Sequence, residues 1–179
     1  MMKVLKVILI VLAVLASVTV FIRFYYNKPF SPSATAEYEK NGLSITVDYC
    51  QPSKKGRLIF GTTQEKALVP YGKWWRTGAN EATVIKFSRD VTIGGKVLKA
   101  GKYTLFTIPE KGDWTIIINA EVGQWGLSYD DSKDVLRVPA TSLQQPDSVE
   151  TFTIDFNEKE TGVDMLLHWD TTVVTIPIK

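Results

Sequence analysis

One cysteine and one histidine in 179 residues leave little room for the commonest protein chemistries. With Cys50 alone, no intrachain disulfide can form. Free cysteine is among the most buried residue types, so Cys50, at the end of an alternating stretch, reads as a packed thiol. With His168 as the sole imidazole, a transition-metal site would depend on carboxylates to an unusual degree. A Ser-His-Asp triad would have to recruit His168, and no sequence feature marks its partners. Also missing are a Gly-x-Ser-x-Gly elbow, a His-Glu-x-x-His pair, a Cys-x-x-Cys pair and a phosphate-binding glycine loop. Nineteen acidic residues permit a carboxylate pair for hydrolysis without pointing to one. No catalytic residue, metal ligand or cofactor is expected, and the balance leans away from an enzyme.

Positive charge is missing from the body of the chain as well. The formal charge of +2 is carried by the N-terminus: Lys3, Lys6, Arg23 and Lys28 are four of the 21 basic residues, with no acid among the first 28 positions. The remaining 17 basic residues face 19 acidic ones, which makes the body about −2. A nucleic-acid binder shows the opposite sign on its folded domain, so nucleic acid is excluded as a partner.

What is present falls into two parts. Residues 7–22 form an apolar run without charge, V-I-L-I-V-L-A-V-L-A-S-V-T-V-F-I. As a helix these residues would rise about 24 Å, or about 28 Å counted from Val4, close to a hydrocarbon core of about 30 Å. Lys6 can extend its ammonium back to the interface. Phe24, Tyr25 and Tyr26 follow as an interfacial aromatic belt. A cleaved signal peptide is the rival reading, but its apolar region is shorter, about 7–15 residues. The expectation is an uncleaved signal-anchor at residues 1–26, with the membrane entered through residues 4–26. The short N-terminal tail makes export of the rest the default. In a bacterium that gives a single-pass inner-membrane protein with its C-terminal domain in the periplasm, or a secreted protein if the segment is removed.

Residues 27–36, rich in Pro, Ser, Ala and Thr, read as an extended linker, with the domain at residues 37–179. That domain alternates with period two. Leu43, Ile45, Val47 and Tyr49 share one face, and Phe152, Ile154 and Phe156 share another. Gly94-Gly95 and residues 109–113 are hairpin turns. Residues 163–169 and 173–178 make a closing pair, with Val163, Met165, Leu167 and Trp169 inward and His168 outward beside Asp164 and Asp170. Without a long amphipathic helical stripe, the pattern predicts an all-β fold. The expected form is an antiparallel, jelly-roll-like β-sandwich of about nine strands, with a closed barrel as second choice. Residues 61–80 and 120–134 resist assignment as strands, and loops of that length are often functional.

The first of these loops holds Trp74, Trp75, Arg76, Asn80 and Glu81. Stacked aromatics beside a guanidinium and a carboxamide suit a planar or sugar-like ligand. The same residues would serve a structural role if Trp74 or Trp75 capped the sandwich and Arg76 paired with Glu81. The second loop holds Gly123-Gln124-Trp125-Gly126, where glycines allow a tight turn that presents Trp125 or folds it down as a plug. Arg57, after a turn, is a further candidate. The ligand-binding expectation therefore names Arg57, Trp75, Arg76, Asn80, Glu81 and Trp125. It describes a non-catalytic module taking a small ligand, glycan or peptide. The alternatives are a scaffold docking another envelope protein, or a carboxylate-dependent hydrolase using Glu81.

Longer stretches carry a resemblance. Pro52-Ser53-Lys54-Lys55-Gly56-Arg57-Leu58-Ile59-Phe60-Gly61, Trp75-Arg76-Thr77-Gly78-Ala79-Asn80-Glu81-Ala82-Thr83 and Ala100-Gly101-Lys102-Tyr103-Thr104-Leu105 are quoted from this chain. Together with Gln124-Trp125-Gly126 and Thr175-Ile176-Pro177-Ile178, they resemble the bacterial domain of unknown function 2911 family, often found in exported proteins. The likeness runs over about residues 41–179. It implies a compact β domain at the cell envelope and brings no activity with it. Many similar sequences carry Ser-Arg-Pro where this chain has Cys50-Gln51-Pro52, so an arginine shared by the family is missing here.

Overall fold

The computed structural model describes residue 6, residues 13–19 and residues 31–179. Residues 13–19 are helical, with Ser17 and Thr19 each donating a hydroxyl to a carbonyl one turn back. Among the described residues no helix is long and apolar enough to cross a membrane. The span expected over residues 4–26 lies for the most part outside the described residues.

Ser31–Lys179 form one compact unit, built almost wholly of strands. In chain order these are β1 (Ser33–Lys40), β2 (Leu43–Cys50), β3 (Phe60–Gly61), β4 (Val69–Pro70), β5 (Thr83–Phe87), β6 (Val91–Ile93) and β7 (Lys96–Leu98). They continue with β8 (Gly101–Ile108), β9 (Trp114–Asn119), β10 (Asp134–Lys159) and β11 (Gly162–Ile178). Nine of them join one antiparallel sheet in the order β1-β2-β5-β8-β9-β10-β11-β6-β7, while β3 and β4 pair parallel to each other. Strands adjacent in sequence are mostly adjacent in the sheet. This is nearer a meander than the expected jelly roll, which needs two Greek keys.

Residues 33–36, read from composition as linker, are the first half of β1. Small Ala and Thr side chains suit an edge strand, and β1 pairs with β2 over its whole length, from Ser33 opposite Cys50 to Lys40 opposite Leu43. The short strand expected at residues 135–138 is instead part of the 26-residue β10. Its first residues pair with β9 and the rest with β11. Register shifts between Gln144, Val149 and Thr153 mark bulges, which bend a strand and raise its twist. Beyond them β10 faces the other half of the sheet. The Tyr49 phenol accepts from the Ile154 amide at 3.0 Å, and the Tyr49 and Phe152 rings meet edge-on at 5.7 Å. The sheet thus folds over on itself in a sandwich-like way.

The closing pair of strands expected near the C-terminus is one strand, β11, whose inward phase changes midway. Val163, Met165, Leu167 and Trp169 are buried at odd positions, then Thr172, Val174, Ile176 and Ile178 at even ones. Asp170, with φ at +52°, absorbs the extra residue. Its carboxylate is held by the Lys54 ammonium at 2.5 Å and the Ser148 hydroxyl at 2.8 Å. Burial pushes the Asp170 carboxyl up, but these bonds outweigh it and the net shift is downward. His168 is half-buried rather than fully outward, with Nδ1 3.1 Å from Gln145 Oε1.

The main core joins Ile45, Val47, Ile85, Leu105, Ile116 and Ile118 from one half of the sheet to Met165, Leu167, Trp169 and Val174 from the other. A second, smaller cluster lies on the opposite face of β8 and β9. There Phe106 and Ile117 are fully buried with Ala82 and packed against Ile108 and Tyr129. The two stretches that resisted assignment supply this cover. Trp74 meets the Phe106 ring edge-on at 5.8 Å and Tyr129 at 5.2 Å.

Candidate functional site

The loop from Trp74 to Glu81 is held rigidly. Trp75 and Thr107 exchange both backbone hydrogen bonds, at 2.7 and 2.9 Å, which docks the loop onto β8. Trp75 points into the core at 7% exposure, and its indole N–H donates to the Gly78 carbonyl at 3.0 Å. Its ring stacks on Trp169, with edge-on contacts to Phe60, Trp114 and Phe152. Trp75 is thus a core side chain and lies apart from the exposed part of the candidate set. The structural role weighed for it, an aromatic that pins its loop to the sandwich, is the one its contacts describe.

Beyond Trp75 the backbone is strained. Thr77, fully buried, sits at φ +53°, and Asn80 sits at φ +58°. A β-branched residue in the left-handed region is an outlier that costs about 1–3 kcal/mol. The Thr83 hydroxyl donating to Thr77 O at 2.7 Å and a Thr77–Thr107 hydroxyl bond at 3.2 Å hold it there.

This twist brings Asn80 to the centre of a three-way junction. The Asn80 carbonyl accepts from Arg76 Nη1 at 2.9 Å and from the Gly126 amide at 3.1 Å. Its side-chain amide donates to the Ser31 carbonyl at 3.2 Å. Glu81 pairs across a bridge with Trp125, so the two candidate loops meet along one seam. Gly126 is required there, because a Cβ at that position would lie 2.4 Å from both Arg76 Cδ and Asn80 O.

Arg76, Asn80, Glu81 and Trp125 are thus brought together. Arg57 bonds elsewhere, its guanidinium donating to the Ser53 and Lys54 carbonyls at 2.5 and 3.0 Å. The expected pairing of Arg76 with Glu81 is replaced. Arg76 bonds a carbonyl, while Glu81 accepts from the Cys50 thiol at 3.6 Å. Burial lowers the pKa of Arg76, as for a cation half-removed from water that no carboxylate among the described residues neutralises. Cys50 is buried, and desolvation, aided by Glu81, pushes its thiol up.

Two further residues of the second loop, Gln124 and Leu127, lie at the seam though they were not among the six expected ligand contacts. Gln124 has both amide atoms buried without a partner among the described residues, and a buried polar group left unpaired costs about 1–3 kcal/mol. Leu127, beyond Gly126, stands 67% exposed, next to Trp125 at 52%. The paired apolar residues around a glycine were the available signal. Outside the seam, Tyr129 closes the second loop by donating to Asp134 at 2.7 Å and accepting from Arg137 at 2.7 Å. Burial and the Asp134 carboxylate push its phenol up to about 12. No group of three or more His, Cys, Asp or Glu among the described residues could hold a metal ion.

The model of a family described as a protein of unknown function (DUF2911) matches residues 31–178. The chain belongs to the DUF2911 family. No curated protein and no solved structure matches it. The DUF2911 match begins where the folded unit begins, so β1 is part of the family's domain. The Trp-Arg-Thr-Gly-Ala-Asn-Glu motif becomes physically legible in this DUF2911 chain. Trp75 anchors the loop in the core, Thr77 and Asn80 turn it, and Arg76 and Glu81 emerge at the seam.

Proposed function

We propose that this DUF2911 protein is a membrane-anchored envelope protein whose domain is a non-catalytic binding module. Residues 4–26 serve as a single-pass anchor in the bacterial inner membrane, with the domain on the periplasmic side. The ligand, a small molecule, glycan or peptide, is taken at the seam of Arg76, Asn80, Glu81 and Trp125. The carrying observation is the half-buried Arg76 side chain, without a carboxylate partner among the described residues, lying against Gly126, the neighbour in sequence of the exposed Trp125. A desolvated cation of this kind favours an anionic or acceptor-rich group. A half-exposed indole offers a flat face for stacking.

The test is binding of the full chain, in detergent, to arrays of envelope glycans and peptides. Arg76→Gln and Trp125→Ala should each weaken any ligand found by about tenfold or more, since well-placed contacts of these types contribute about 1.5–3 kcal/mol. Melting should fall by no more than about 2–4 °C. Equal binding by both variants would remove the seam as the site.

A further inference from the structure

The seam lies where the chain enters the domain. Ser31, the first residue of the folded unit, is bonded through its carbonyl to the Asn80 side chain, and the Asn80 carbonyl holds the Gly126 amide. One residue therefore ties the entry point to the turn that displays Trp125 and Leu127, at 52% and 67% exposure. Val122, in the same loop, is exposed too. Four residues, 27–30, separate Ser31 from Tyr26, the end of the aromatic belt that follows the apolar run. Fully extended they reach at most about 18 Å.

We infer that the Trp125-Gly126-Leu127 turn seats the domain on the phospholipid headgroup layer. This deepens the reading above: it rests on the anchor at residues 4–26 and names the surface that the seam meets. Trp125 takes the glycerol level, where an indole keeps its N–H wet and its ring apolar. Leu127 enters the acyl margin, and Arg76 behind Gly126 faces the phosphates. Charge does not drive the contact. Glu81, Glu121, Asp130 and Asp131 stand in or beside the two loops, so the turn is no polybasic patch. Apolar insertion supplies the attraction, and the tether supplies the rest. A short linker holds the turn at an effective concentration in the millimolar range, at which even a weak partition is filled.

The experiment reconstitutes the full chain in phosphatidylcholine vesicles with brominated acyl chains and reads tryptophan emission, with flotation of the same vesicles as a control. Co-flotation is expected, with bromine quenching that Trp125→Phe largely removes, that Leu127→Ser reduces, and that added salt leaves unchanged. The urea denaturation midpoint of each variant should match wild type, because both side chains are exposed. Co-flotation with the same quenching in Trp125→Phe, or with none in wild type, overturns the seat and leaves the anchor standing. Failure to co-float overturns both. Shielding of Trp125 from acrylamide only after envelope proteins are added back would assign the turn to a protein and overturn the lipid seat.

Discussion

Trp75 and Trp169 lie nearly parallel, 5.7 Å apart and 19° from coplanar, one from a loop and the other from β11. This contact joins the strained loop to the far half of the sheet. It turns the most conspicuous aromatic of the candidate motif into a structural pin. Three consequences of the packing can be measured.

Trp75→Ala should destabilise the domain by about 3–5 kcal/mol, the usual cost of truncating a buried indole. Arg76→Gln, one residue along, should stay within about 0.5–1 kcal/mol, because among the described residues its side chain makes one hydrogen bond, to the Asn80 carbonyl. Urea denaturation midpoints of the two variants decide the matter. Equal losses would mean that Arg76 holds the loop as much as Trp75 does.

The Cys50 thiol should be inert in the native protein. It is buried, and both burial and the neighbouring Glu81 carboxylate raise its pKa, which suppresses the reactive thiolate. Ellman's reagent at pH 8 should label it slowly until guanidinium unfolds the chain, and somewhat faster in Glu81→Gln. Rapid labelling of the native wild type would show that the seam opens around Cys50.

Stability should fall as the pH drops through the range of histidine titration. Burial lowers the pKa of His168, with Asp155 opposing weakly, so the folded state binds fewer protons than the unfolded one near the ordinary value of about 6.5. The contribution is present above that value and is lost as the pH falls toward the lower folded pKa. Denaturation midpoints between pH 8 and pH 5 should decline for wild type. They should decline less for His168→Gln, which keeps a polar group opposite Gln145. Parallel curves would show that other groups carry the decline.

Much of the domain was legible from local pattern alone. Alternation in β2 placed Leu43, Ile45, Val47 and Tyr49 inward, and all four are buried. The Gly94-Gly95 turn joins β6 to β7 as its two glycines require, both at positive φ. Alternation over residues 163–169 also placed Trp169 correctly. The same pattern could not show that β11 runs on through Asp170, because the phase change there looks like a strand end. Composition hid β1, since its Ala, Thr and Ser are also what linkers are made of.

For the candidate site the division is sharper. Residue types and spacing along the chain determined that Trp75, Arg76, Asn80, Glu81 and Trp125 were worth naming, because aromatic rings beside planar polar groups are rare enough to stand out. Whether a given ring faces ligand or core depends on partners far away in sequence, and Trp169 and Thr107 claim Trp75 from two different strands. The meeting of the two loops at Asn80 is likewise a matter of tertiary structure. It needs a left-handed backbone at Asn80 and a missing side chain at Gly126, and each is intelligible only with the other in place. Side-chain identity and alternation are local properties, so sequence carried them. Burial and convergence are set by non-local pairing, so only the folded chain decided them.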